Sequence, residues 1–207
     1  MIIAIDGPAG SGKSTIAKLV AAKLKFLYID TGAMYRSLTL KAMQKKLDLN
    51  DGKSLICLAR NTKIKLNPKS AKIRTPEVTN NISYIANVPG VRREMVKAQR
   101  AFGFRSKRGA VLEGRDIGTV VFPDAERKFY LVASVKERAR RRFKELKAKG
   151  MKISLKQIEN DIIIRDKKDK TRPVGALKKA KDAILVDTTN LTIEQVVEKV
   201  LSYVNDK

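Results

Sequence analysis

Residues Gly7 to Ser14 read G-P-A-G-S-G-K-S and satisfy the spacing G-x-x-x-x-G-K-[ST]. That spacing leaves few options for the chain around it. Successive N–H groups of a glycine-rich loop cradle an anion only where a strand delivers the loop and a helix N-terminus receives it. Both flanks comply: Ile2, Ile3, Ala4 and Ile5 form an apolar run suited to a buried parallel strand, and Ile16, Leu19, Val20 and Leu24 recur at helical spacing, which predicts an amphipathic helix over 15–24. Gly7, Gly10 and Gly12 give the loop its backbone freedom, and Pro8, Ala9, Ser11 and Thr15 complete it. Lys13 would reach the outer phosphates of a nucleotide and the Ser14 hydroxyl would ligate Mg²⁺. A triphosphate donor follows, and the acceptor stays open.

At 207 residues the chain can bury a full core and fits one domain with excursions. No apolar stretch reaches membrane-spanning length, and the first run is cut short by Asp6 and the glycines, which does not fit a signal peptide. The expectation is a cytoplasmic protein with no membrane partner. The single cysteine, Cys57, lies between apolar residues in "SLICLAR", which predicts a small core filler rather than a disulfide or metal ligand. Histidine is absent, so proton transfer falls to Asp, Glu, Lys or solvent. Lys+Arg 45 against Asp+Glu 21 leave a formal charge of +24, which concentrates polyanions of any kind. The aromatic fraction is only 5% and tryptophan is missing, so few surfaces exist for stacking single-stranded nucleic acid. Charge alone does not choose the partner.

Further strands are predicted at 26–29, 110–112, 128–132 and 183–186, most of them ending in an acidic or small residue, with helical patterns between. Ser134 with Glu137, Ser154 with Gln157, and Thr192 with Gln195 have capping-box spacing, and Thr75-Pro76 marks another helix start. Ile193, Val196, Val197, Val200, Leu201 and Val204 trace one apolar helix face. Such alternation argues for a parallel sheet covered on both sides. Two stretches depart from it. Residues 39–104 are mostly helical, with "KIKL" and "AKIR" around Asn67-Pro68 read as a small hairpin, and 134–170 form a charged helical pair hinged near Gly150. Ligands bind outside the carboxyl ends of strands in such sheets, so both excursions could close over one site.

"DTGAMYR" follows the second strand and sets Asp30, Thr31, Tyr35 and Arg36 at a helix start facing that cleft. "VLEGRDIGTVVFP" places Glu113, Arg115 and Asp116 directly after the third strand, where buried charges need partners and a ligand contact is favoured. In "IIIRDKKDKTRP", Arg165, Asp169 and Arg172 stand four and three residues apart, on one side of a helix, although a solvated salt-bridged face is the usual meaning of such a run.

Taken together, "IDGPAGSGKST", "DTGAMYR", "IRTPEVTNNIS", "VRREMVKAQRAF", "EGRDIGTVVFPDA" and "RDKKDKTRPV" resemble bacterial-type cytidylate kinase, a nucleoside monophosphate kinase family that moves the γ-phosphoryl group of ATP to CMP or dCMP. The resemblance runs from Ile5 to Val174 in family order. It implies a P-loop NTPase-like α/β fold, a five-stranded parallel sheet flanked by helices, in one domain: core 1–38, 105–133 and 175–207, an NMP-binding insertion over 39–104 and a helical lid over 134–174. It further implies ATP with Mg²⁺ as donor, a monomer, and no specific nucleic acid partner. By the same likeness Ser83, Arg92 and Asp116 read the cytosine edge, Arg36, Arg115 and Arg172 bind the acceptor phosphate, and Thr31, Arg165 and Asp169 lie near the sugar. Lys13, Arg115 and Arg172 carry catalysis, and the arginines within 138–142 close over the ATP phosphates. The chain departs from the family pattern in a shorter insertion between Leu47 and Arg74, and in Thr31, Glu113 and Lys168, where serine, aspartate and arginine are also found. The glycine loop alone leaves open a kinase for another nucleoside monophosphate, such as UMP or AMP, or a basic RNA-binding protein that uses the loop for regulation.

Overall fold

Each predicted apolar run becomes a strand: β1 (Ile2–Asp6), β2 (Leu27–Asp30), β3 (Ala110–Gly114), β4 (Arg127–Val132) and β5 (Ile184–Asp187), all parallel in the spatial order β2-β3-β1-β4-β5. The helices are α1 (Lys13–Leu24), α2 (Thr31–Gln44), α3 (Gly52–Arg60), α4 (Pro76–Ala86), α5 (Pro89–Arg105), α6 (Val135–Ala148), α7 (Leu155–Thr171) and α8 (Ile193–Asn205). The computed structural model describes residues 1–68, 70–148, 150–151 and 153–205.

Parallel pairing demands crossovers, and these bury both sheet faces. On one face Ile3, Ile5, Val111, Phe129, Leu131 and Val186 meet Ile16 and Val20 of α1 and Val196, Val197 and Val200 of α8. On the other, Ala4, Ile29, Ala110 and Leu112 pack under Met34 and Leu38 of α2, Leu55 of α3, Ile85 of α4 and Met95 of α5. Alternation along β3 therefore puts Glu113 on the α1 side, with Val111. Ile193 stays about half exposed, outside the apolar seam of α8 that it was expected to join.

Outside the sheet, α6 and α7 share a small core of Ala139, Leu146, Ile158 and Ile162, and Gly150 turns the chain between them at φ 73°. Ser154 with Gln157, and Thr192 with Gln195, make the reciprocal caps that their spacing predicts. Only half the box forms at α6. The Glu137 N–H donates to Ser134, but the Glu137 carboxylate turns instead to Arg140 and Arg141.

Two further expectations fail. Residues 63–66 are not a strand and Ala71–Arg74 is a 3-10 turn, so there is no hairpin. The apolar alternation is met otherwise: Ile64 and Leu66 pack against the helical core and Ile73 is buried. Asn67, at φ 46°, lays its side-chain amide along the outer edge of β2, Oδ1 accepting from the Asp30 N–H at 2.9 Å and Nδ2 donating to the Tyr28 carbonyl at 2.6 Å. Cys57 is exposed, because α3 turns Leu55, Leu58 and Ala59 inward and leaves position 57 on the outer side. Asn67→Ala is expected to cost about 2 kcal/mol, from two modest hydrogen bonds and a left-handed backbone that alanine resists. Urea unfolding reads this directly, and an unchanged midpoint would mean that the amide contributes nothing to closing the edge.

Candidate active site

The carboxyl ends of β1 and β3 lie side by side, and the glycine loop rises from the first of them. A Cβ on Gly7 would overlap the Leu131 carbonyl, so the loop leaves the strand only through glycine. Gly12, left-handed at φ 88°, lets α1 begin at Lys13, two residues earlier than the apolar spacing predicts. The Lys13 ammonium lies across the loop and donates to the Pro8 carbonyl at 2.6 Å and the Ser11 hydroxyl at 3.4 Å. Burial first, then Arg115 and Arg165, push its pKa down, so the site disfavours its charge until an anion compensates. Thr15 is exposed on the far side of the first turn.

From α6, Arg138 closes the loop. Its guanidinium donates to the Ala9 carbonyl at 3.0 Å, the Ala133 carbonyl at 3.0 Å and the Asp166 carboxylate at 2.7 Å. Arg141 holds the Thr188 hydroxyl and carbonyl at 3.1 and 2.5 Å, and the Thr188 hydroxyl in turn donates to the Ser11 carbonyl at 3.2 Å. Arg140 and Arg142 pair with Glu137 and Glu145 on the same helix. Within 138–142, then, Arg138 and Arg141 reach the loop.

Beside Lys13, the Ser14 hydroxyl donates to Glu113 Oε2 at 2.8 Å, and the Tyr28 hydroxyl donates to Oε1 at 2.5 Å. Burial and the adjoining Glu113 charge push the Tyr28 phenol pKa up, so it stays a donor. Ser14 spends its only proton on Glu113 and keeps its lone pairs for a hard cation. Among the described residues no group of three or more Asp, Glu, His or Cys side chains could hold a metal. Ser14 and Glu113 are nonetheless the oxygen donors that suit a Mg²⁺ sharing its remaining positions with water and nucleotide phosphate.

A second half of the cleft is built on α2, α5, the end of β3 and the end of α7. Asp169 bridges two arginines, accepting from Arg115 Nε and Arg172 Nη2 at 2.7 Å each. Burial would raise the Asp169 pKa, but Arg115 and Arg172 outweigh it and hold the carboxylate below its ordinary range. Arg165 is pushed down to about 9 by burial, then by Arg115 and Arg36, and Arg36 is lowered mainly by burial, with Asp30 opposing. Arg92 and Asp116 form a buried ion pair, with the Arg92 guanidinium 5.7 Å from the centre of the Tyr35 ring. Burial raises the Asp116 pKa and Arg92 opposes it. Tyr35 Oη, Arg92 Nε and Arg172 Nε are buried here without a partner, donors of the kind a ligand would satisfy.

Sequence motifs far apart thus converge, though not uniformly. Thr31 is at the site with its hydroxyl proton already given to the Glu113 carbonyl at 2.6 Å. Ser83 is half-buried on α4 and has no hydrogen bond to Arg92 or Asp116, and Lys168 is exposed. Arg74, from the turn before α4, reaches Asp30 at 2.8 Å and so ties residues 71–74 to the start of α2.

The profile of the cytidylate kinase family matches residues 3–206. The cytidylate kinase of Clostridioides difficile (strain 630) is 48% identical over 99% of this chain and 98% of its own length. That of Geobacillus sp. (strain WCH70) is 49% identical over 99% and 96%. The chain belongs to the cytidylate kinase family. Shikimate kinase from Bacteroides thetaiotaomicron, 13% identical, superposes with a TM-score of 0.51 over 99% of this chain and 98% of that one, a likeness of fold.

For a cytidylate kinase, the contact least visible in sequence is at Asp6, whose position is marked only by its place before the glycines. Its buried carboxylate accepts the N–H of Ile117 at 2.9 Å and of Gly118 at 2.8 Å, clamping the π-helical turn Ile117–Val121 that follows Arg115 and Asp116. Burial raises its pKa from 3.8 to about 6, against the two backbone N–H groups. A raised carboxyl pKa means the folded chain holds the proton more tightly, so its stabilising contribution is complete below 3.8 and lost as pH rises through about 6. The Asp6→Asn variant cannot ionise. Between about pH 4 and pH 7 its stability relative to the parent should improve by up to about 3 kcal/mol, measured by denaturant unfolding across that range. A constant difference would show that Asp6 titrates as an ordinary carboxylate.

Proposed function

We propose that this cytidylate kinase transfers the γ-phosphoryl group of ATP to the phosphate of CMP or dCMP, giving ADP and CDP or dCDP, as a cytoplasmic monomer. The supporting observation is the crowd of cations at the carboxyl ends of β1 and β3. Burial first, and then neighbouring cations, depress the charge of Lys13, Arg36 and Arg165, and nearby carboxylates relieve these three only in part, whereas Asp169, Glu113 and Asp6 hold Arg115 firmly charged despite its burial. Polyanionic ligands complete such a cleft.

In this reading Gly7 to Thr15 hold the ATP phosphates, with Arg138 and Arg141 closing from the lid, residues 134–174. Residues 39–104 are the insertion that receives the monophosphate. Ser14, with Glu113 beside it, holds Mg²⁺, which when bound neutralises charge on the nucleotide phosphates. Arg36, Arg115 and Arg172 grip the acceptor phosphate, for which Arg172 has its Nε in reserve. Thr31, Arg165 and Asp169 surround the sugar, and Tyr35, Ser83, Arg92 and Asp116 the base. The cytosine amino group donates where Asp116 accepts, and ring N3 accepts where Arg92 donates. Uracil reverses both, which leaves buried groups unpaired.

Chemistry then consists of an acceptor phosphate oxygen bonding to the γ-phosphorus as its bond to the β,γ-bridging oxygen breaks. The attacking oxygen is already anionic, so a chain without histidine lacks nothing. Lys13, Arg115 and Arg172 spread over the transferring group and stabilise charge as it redistributes. A coupled ADP-release assay with ATP and Mg²⁺ tests this, offering CMP, dCMP, UMP and AMP, with Lys13→Ala as blank. CMP or dCMP should be preferred by about 100-fold or more. Arg115→Ala and Arg172→Ala should each lower kcat by about 100- to 1000-fold, while Lys168→Ala, at an exposed position, changes it little. Equal rates on UMP or AMP would overturn the base assignment, and near-normal rates for both arginine variants would overturn the phosphate site.

A further inference from the structure

Tyr28 belongs to no motif, yet it sits at the centre of the cation-binding end of the site. In the β2–β3 ladder Tyr28 pairs with Val111 and Asp30 with Glu113, so Tyr28 and Glu113 lie diagonally on the same sheet face, under α1. The phenol hydroxyl donates to Glu113 Oε1 at 2.5 Å while Oε2 accepts the Ser14 hydroxyl at 2.8 Å. From α1, the Lys18 ammonium stands over the Tyr28 ring, 5.7 Å from its centre. The phenol is thus braced by helix and sheet, and both carboxylate oxygens of Glu113 are committed to hydroxyl donors.

Glu113 has competing partners nearby. Lys13 and Arg115 both feel its charge, and neither is bonded to it. A glutamate has enough rotamer freedom to leave Ser14 for either cation once one of its oxygens is unpaired. The Ser14 proton would then be free to turn toward the cation position, where only lone pairs are useful.

We propose that Tyr28 is a positioning residue for the divalent cation: by occupying Oε1 it keeps Glu113 on the Ser14 hydroxyl and away from Lys13 and Arg115. This rests on the reading of Ser14 and Glu113 as the protein donors toward Mg²⁺. Tyr28→Phe removes the hydroxyl and preserves the ring under Lys18, so packing is retained.

The test compares ADP affinity with and without Mn²⁺, by calorimetry in Mn²⁺ or in EDTA, on the full chain and its Tyr28→Phe variant. The parent gains affinity when Mn²⁺ is present. In Tyr28→Phe that gain should shrink roughly three- to tenfold, part of the worth of one charge-assisted hydrogen bond because the phenol acts on the cation only through Glu113, while affinity for metal-free ADP is unchanged. The Mn²⁺ concentration giving half-maximal rate should rise in step, with KM for CMP unaltered. In a Glu113→Gln background the same substitution should do nothing more. An equal Mn²⁺ gain in both proteins, an equal loss of metal-free ADP binding, or a persisting effect beside Glu113→Gln would each overturn the proposal. A parent chain whose ADP affinity ignores Mn²⁺ would instead sink the underlying assignment of Ser14 and Glu113.

Discussion

Like charges held close together in a buried cleft are the constraint around which this molecule is organised. Lys13 and five arginines, at 36, 92, 115, 165 and 172, come from five separate stretches of chain and face one another at the ends of parallel strands. Such a cluster is unfavourable unless carboxylates are spaced among the cations to offset part of the repulsion. The distribution is economical: Asp169 serves Arg115 and Arg172, Asp116 serves Arg92, and Asp166 serves Arg138. The positive charge left over is what a nucleotide phosphate would meet.

Those carboxylates also join elements that sequence keeps apart. Asp169 lies near the end of α7 and Arg115 just past β3, so one bridge ties the helical excursion to the sheet. Asp6, at the end of β1, clamps the turn beyond Asp116. The glycine loop and the Arg115–Asp116 segment are therefore set relative to each other by backbone hydrogen bonds to one side chain, not by the loop's own flexibility. Precision at such a site comes from rigid elements and the groups behind them.

Much of this was legible in the residues. Apolar runs ending in Asp6, Asp30 and Glu113 announce strands whose carboxyl ends carry function, and of the two arginines spaced around Asp169, Arg172 does bind it, while its second partner is Arg115 from the end of β3 rather than Arg165. Residues whose role depends on a partner distant in sequence were not legible. Tyr28 reads as one more apolar strand position until β2 and β3 pair. Arg138 and Arg141 cannot be told from Arg140 and Arg142 until helix phase is fixed. "KIKL" and "AKIR" alternate as strands do, yet alternation states only which side chains seek the core, and a 3-10 turn buries Ile73 just as well. Cys57 misleads for a related reason: its neighbours in sequence are apolar, but its neighbours on the helix surface are not all inward.

Asn67 has a consequence beyond the turn that contains it. β2 is an edge strand, and the N–H of Asp30 and carbonyl of Tyr28 are the groups a strand from another molecule would use to extend the sheet. One side-chain amide, donor and acceptor correctly spaced, occupies both and imitates a single peptide of a neighbouring strand. The sheet is thereby finished on that side without a sixth strand, and a chain that must expose strand ends to bind nucleotides is guarded there against self-templated aggregation.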